Sequence, residues 1–112
     1  MWFIFPQIDG LGYSPTAKRY AIKSREEARQ YLNHPVLGKR LLECTEAVVA
    51  LRGGSVSEIF GYPDDLKFTS SMTLFEKIAG SGSVFSFALE RYCHGERDTT
   101  TLRLLENLIF LE

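Results

Sequence analysis

Apolar residues recur along most of this chain at steps of three and four, the period of a helix with one face turned to a core. The firmest run is Leu37, Leu41, Cys44, Val48 and Leu51, which predicts a core-facing helix from Pro35 to about Leu51. A shorter stripe of Ala28, Tyr31 and Leu32 follows Ser24, whose spacing from Glu27 is that of a capping box. Asn33-His34-Pro35 closes that helix, because a residue before proline is pushed out of the α region. Ser55 with Glu58 forms a second capping box, for a short turn from Val56 to Phe60 between Gly53-Gly54 and Gly61. Pro63, Asp64 and Asp65 have the composition of a first turn, with carboxylates at the positive end of the helix dipole. The helix they open extends to Ala79, and Gly80-Ser81-Gly82 separates it from one bearing Phe85, Ala88, Leu89 and Tyr92. Asp98 can cap a last helix bearing Leu102, Leu105, Leu108 and Ile109. Near the start, Gly10, Gly12 and Ser14 mark a loop, after which Pro15 opens a short helical turn through Ile22. No hairpin signal is present. Short helices on short loops imply an all-α fold, an irregular compact bundle of about five to seven short helices packed by ridges and grooves.

The two ends break the pattern. Met1-Trp-Phe-Ile-Phe-Pro-Gln7 carries three aromatics and no charge, whereas chain ends are normally polar and frayed. Such a segment is buried in the fold, covered by a partner, or left bare by a missing upstream element. Ile109-Phe110-Leu111 is apolar as well, so the ends are expected to pack together or to dock on a second copy.

Composition narrows the class. A chain of 112 residues is one domain, 1–112, with 45% hydrophobic and 24% charged residues, the balance of a soluble globular protein. Thirteen basic against fourteen acidic residues leave a net charge of -1, without the basic surplus that nucleic acid or an anionic membrane requires. Lys18, Arg19, Lys23, Arg25 and Arg29 cluster, but Glu26 and Glu27 interrupt them, and a solvated helix face explains the set. Two cysteines, Cys44 and Cys93, do not make a disulfide framework, and the apolar start breaks at Pro6, short of a signal-peptide core or a membrane span. The expected compartment is the cytoplasm.

Several motifs together carry a family resemblance: Met1 to Gln7; His34-Pro35 with Leu37-Gly38 and Arg40-Leu41; Glu43-Cys44; Lys67 with Ser70-Ser71-Met72-Thr73-Leu74-Phe75; and Asp98 with Thr101-Leu102. The chain resembles the domain of unknown function 1810 family. The resemblance implies a mostly helical fold, a largely bacterial distribution and no established biochemical role. It also implies an extra amino-terminal helix, ending in a His-Trp pair, upstream of the segment that matches residues 1–7. A member lacking that helix would expose apolar surface on the order of several hundred Å², the size of an interaction patch, so self-association is expected.

The candidate chemistry lies mostly on the predicted fifth helix. There Lys67, Ser70, Ser71 and Leu74 share one side, and Thr73 follows closely. One reading is a small pocket in which the hydroxyls and the ammonium hold a polar or anionic ligand, with Asp64 as an acceptor. The other is close helix packing, with Ser70 and Ser71 bonded back to the carbonyls of the preceding turn. Trp2 and Gln7 could stack on and hydrogen-bond a planar ligand such as a nucleobase; the reading of Trp2 as a core anchor is favoured because aromatics dominate core energetics. His34 is either a ligand contact or a helix-junction residue whose imidazole bonds nearby backbone. Catalysis by cysteine is disfavoured: Cys44 shares an apolar stripe, and Cys93 and His94 are neighbours whose side chains diverge by about 100° on a helix. Two cysteines and two histidines lack the spacing of a zinc site, so no metal is expected. The Gly-rich turns lack the lysine and strand of a phosphate loop, and no cofactor is expected.

The sequence thus favours a binding or interaction module that self-associates or docks a protein partner through Met1 to Gln7. The alternative is a small-ligand protein, possibly an enzyme, with a pocket around the Lys67/Ser70/Ser71/Thr73 face.

Overall fold

The computed structural model describes residues 5–11, 15–51, 54–80 and 82–109. The described residues form seven helices: α1 (Pro15–Tyr20), α2 (Arg25–Asn33), α3 (Leu37–Val49), α4 (Val56–Phe60), α5 (Asp64–Ala79), α6 (Val84–Tyr92) and α7 (Thr99–Ile109). Caps legible in the sequence set three of these starts. Ser24 Oγ accepts from Glu27 N–H at 3.0 Å, while Glu27 Oε2 reaches past the cap to accept from Lys23 N–H at 3.2 Å. Ser55 Oγ accepts from Glu58 N–H at 3.3 Å, and Asp98 Oδ2 accepts from Thr101 N–H at 2.9 Å.

Helix α5 is the axis of the molecule, packed against α2, α4, α6 and α7. Phe68 and every residue from Ser70 to Glu76 are buried, so this helix is enclosed on almost all sides. That explains why its polar residues need internal partners. Phe5, Phe60 and Phe68 cluster at one end of the core, Phe60 stacked on Phe68 and Phe5 edge-on to it, with centroids 4.9 and 5.1 Å apart. At the other end Phe75 lies between Tyr31 and Phe85, at 5.8 and 5.7 Å.

The amino-terminal segment is therefore core as far as it is described: Phe5 and Ile8 are buried, and residues 1–4 lie outside the described residues. A parallel bridge helps tie it down, in which Ile22 N–H donates to Gln7 O at 2.8 Å and Asp9 N–H to Ile22 O at 2.7 Å. At the other end of the chain, Phe110 and Leu111 lie outside the described residues.

The core face of α3 differs from the expected stripe. Gly38, Leu41, Thr45 and Val48 are buried, whereas Cys44 is half-buried and Leu51 is exposed. Two local features turn the helix this way. A Cβ at Gly38 would sit 1.9 Å from Leu32 O, so the end of α2 crosses directly over that glycine. Thr45 enters the core because its hydroxyl donates to Leu41 O at 2.7 Å. Beyond the last turn of α3, Tyr92 Oη of α6 donates to Leu51 O and Val49 O, joining the two helices.

Candidate functional site

The residues singled out from sequence fall into three places. Gln7 and Ser70 meet although far apart in the chain: Gln7 Nε2 donates to Ser70 Oγ at 2.8 Å. Ser70 Oγ in turn lies 3.0 Å from Leu66 O and 3.2 Å from Lys67 O. Thr73 Oγ1 donates to Thr69 O at 2.8 Å and accepts from Asp98 N–H at 2.9 Å, fastening the start of α7 to α5. Ser71 is fully buried, and its Oγ has no hydrogen-bond partner among the described residues. Lys67 Nζ stands 3.7 Å from Asp64 Oδ1 at the first turn of α5. His34 is elsewhere, at the α2–α3 junction, where its Nδ1 accepts from Val36 N–H at 3.1 Å and Leu37 N–H at 3.0 Å. It caps α3, which begins without a side-chain cap of its own at Val36. Trp2 lies outside the described residues.

A separate concavity lies elsewhere on α5. A cleft of about 580 Å³ lies between α4, the first half of α5 and the loop from α6 to α7, within the usual range for small-molecule sites. On its α5 wall, Ser57 Oγ donates to Asp65 Oδ2 at 2.9 Å and Thr69 Oγ1 donates to Asp65 O at 3.0 Å. Thr69 Oγ1 also touches Cys93 Sγ at 3.3 Å. The opposite wall is the loop of His94, Glu96, Arg97 and Asp98.

That loop is braced from behind. Arg97 Nε donates to Glu76 Oε1 at 3.0 Å, its Nη2 to Glu76 Oε2, and its Nη1 to Gly95 O at 2.7 Å. Ser86 Oγ of α6 donates to the same Glu76 Oε2 at 2.7 Å. The Arg97 hydrogen bonds hold the Glu76 carboxyl below the usual carboxylate range, despite burial that pushes the other way. The same pair raises the Arg97 guanidinium above its ordinary value.

Burial pushes the Cys93 thiol up, against the pull of Thr69 and Arg97. A thiol in that state is a poor nucleophile at neutral pH. Cys93 and His94 both line the cleft, and because α6 ends at Tyr92 neither continues the helix. His94 has a left-handed backbone, with φ +57°. Among the described residues no group of three His, Cys, Asp or Glu side chains is placed to hold a metal ion, and no helix is long and apolar enough to cross a membrane.

Sequence reasoning missed Thr69, Glu76 and Arg97. Glu76 had a signal: a carboxylate directly after Met72-Thr73-Leu74-Phe75, on a helix that the surrounding pattern buries. His94 was weighed only as a partner for Cys93, although a histidine ahead of Gly95 just past a helix end marks a left-handed stop.

Fold and cleft together define a small all-helical protein with a polar cleft beside its central helix. The chain belongs to the family described as protein of unknown function (DUF1810), whose model matches residues 1–105. It is similar to the conserved hypothetical protein Rv1873 from Mycobacterium tuberculosis, known from a crystal structure. The two share 51% identity with a TM-score of 0.90, over 94% of this chain and 75% of that one. No functionally curated protein matches the chain.

Proposed function

We propose that this protein binds a small polar ligand in the cleft between α4, α5 and the α6–α7 loop. The observation that carries the reading is the cleft itself: about 580 Å³, with hydroxyl, carboxylate and imidazole groups on walls braced by the Glu76–Arg97 pair. A rigid second layer behind a polar surface is what a binding site requires. The hydroxyls of Ser70 and Thr73 give less support to a pocket on their own side of α5, because each is engaged with the backbone. The two free cysteines are consistent with a cytoplasmic setting.

The test is native mass spectrometry of protein purified gently from its own cells, beside a Ser57→Trp variant whose indole fills the cleft from its exposed edge. A stoichiometric small mass, present in the parent and lost in the folded variant, is expected. A mass that persists in the variant, or none in either, overturns the reading.

A second reading is a module that docks a protein partner or a second copy. Tyr62 and Leu66, at the start of α5, are 83% and 56% exposed and support it. The described part of Met1 to Gln7 supports it less, since Phe5 faces the core and Gln7 bonds Ser70. Loss of a dimer or complex on Leu66→Asp, read by analytical ultracentrifugation, is the result expected here; a monomeric parent counts against it.

A further inference from the structure

The charge and hydrogen-bonding state of the cleft select among polar ligands, on the premise that the cleft is a ligand site. Among the described residues its walls carry three carboxylates, Asp65, Glu96 and Asp98, against one guanidinium, Arg97. Asp65 accepts from Ser57 Oγ and Leu66 N–H and Asp98 from Thr101 N–H, neutral donors that leave both negative charges in place. The guanidinium does not face a ligand as a free cation. All three of its nitrogens are engaged with Glu76 and Gly95 O, and Glu90 adds a further carboxylate 4.0 Å away. Its charge is thus compensated behind the wall.

The hydroxyls lean the same way. The Ser57 proton goes to Asp65 Oδ2 and the Thr69 proton to Asp65 O, so both oxygens retain lone pairs rather than donors for a ligand. Cys93 and His94 follow the last turn of α6, whose dipole presents its negative end there. The start of α7 has the opposite sign, but Asp98 Oδ2 already caps it through Thr101 N–H. Val56 and the half-exposed Leu66 add an apolar strip along the cleft, suited to a methylene stem.

We infer that the cleft takes an organic cation, an ammonium or guanidinium group on a short alkyl stem. A phosphate or carboxylate ligand would meet these carboxylates with no uncompensated cation among the described residues of the cleft to offset them, at a cost that a concave wall magnifies.

The experiment uses agmatine, which joins a guanidinium to an ammonium through four methylenes, with inorganic phosphate and citrate as anionic probes. Binding is read by calorimetry at low salt, for the parent protein, for Glu96→Gln and for Asp65→Asn/Glu96→Gln. The expected result is saturable agmatine binding, weakened about ten-fold or more in the double variant and by less in Glu96→Gln, with no binding of phosphate or citrate. Glu96 is exposed, so the single variant keeps the test alive if the double variant fails to fold. Agmatine binding unchanged in the variants overturns the inference. So does binding of an anion in place of agmatine, if Ser57→Trp abolishes it; that outcome leaves the ligand-cleft reading standing. No binding of any probe, together with no co-purifying mass, overturns both.

Discussion

Thr69 and Thr73 stand one turn apart on α5 and make the same local bond, each hydroxyl donating to the carbonyl four residues back. Their surroundings separate them. Thr73 is fully buried and its oxygen is completed by Asp98 N–H, so it acts as a fastener between α5 and α7. Thr69 is half-buried at the wall of the cleft, and its second contact is only the Cys93 sulfur. The inner turns of α5 thus form a sealed polar seam, running from the Gln7–Ser70 bond through Thr73 to Glu76, while the outer turn opens to water. A polar residue in the seam adds stability and has nothing left to offer a ligand; one on the cleft has the reverse balance.

The sharpest test of the contrast is Glu76→Ala. It leaves the Arg97 guanidinium without its carboxylate and frees the loop wall. Removing one partner of a buried ion pair costs about 3–5 kcal/mol. Because Arg97 keeps part of its surface in water, about 3 kcal/mol is expected here, a fall in Tm of roughly 12 °C or more for a chain of this size. Denaturant melts would break the seam model if the loss stayed under about 1 kcal/mol, the range of an exposed pair.

The same pair fixes a pH dependence. Arg97 lowers the Glu76 carboxyl below its ordinary range near about 4.3, so the unfolded chain takes up that proton first as pH falls. The stabilisation is complete above that ordinary range and is lost as pH falls through the lowered value. Melts from pH 7 to pH 2 should show a steeper acid loss for the parent than for Glu76→Gln. Parallel curves would mean that the pair contributes no pH-linked stability.

Next in size is the paired substitution of the two threonines by valine. Thr73→Val leaves the part-buried Asp98 N–H without its acceptor and should cost about 1–2 kcal/mol. Thr69→Val, where water can replace the lost hydroxyl, should cost under about 0.5 kcal/mol. Equal losses would erase the distinction between seam and cleft.

Several helix starts and part of the seam were legible in the sequence; the Glu76–Arg97 pair and the cleft were not. Helix starts at Ser24, Ser55 and Asp98 follow from local capping chemistry, which neighbouring residues decide. Both readings of Ser70 and Ser71 were available; the back-bonded one matches Ser70 but not Ser71, whose buried hydroxyl has no partner among the described residues, and the junction reading matches His34. The cleft draws on α4, α5 and the α6–α7 loop, whose approach depends on crossing geometry that no periodicity encodes. The same limit shifted the stripe of α3, where a close approach at Gly38 rather than the count of apolar residues chose the buried face.

The smallest effect tests the cleft side of the contrast. His94 holds a left-handed backbone that costs a non-glycine residue about 1–2 kcal/mol, less for histidine than for a branched side chain. Glycine would remove that strain but add conformational freedom to the unfolded chain, worth about 0.5–1 kcal/mol in the other direction. His94→Gly should therefore leave the fold intact and raise its stability by about 0.5 kcal/mol, because His94 is exposed and takes no part in the seam. A residue whose removal helps the fold is the reverse of Glu76, and it belongs to a wall shaped for something other than packing. A loss of more than about 1 kcal/mol would instead put His94 among the structural fasteners, and would extend the sealed seam across the loop that now divides it from the cleft.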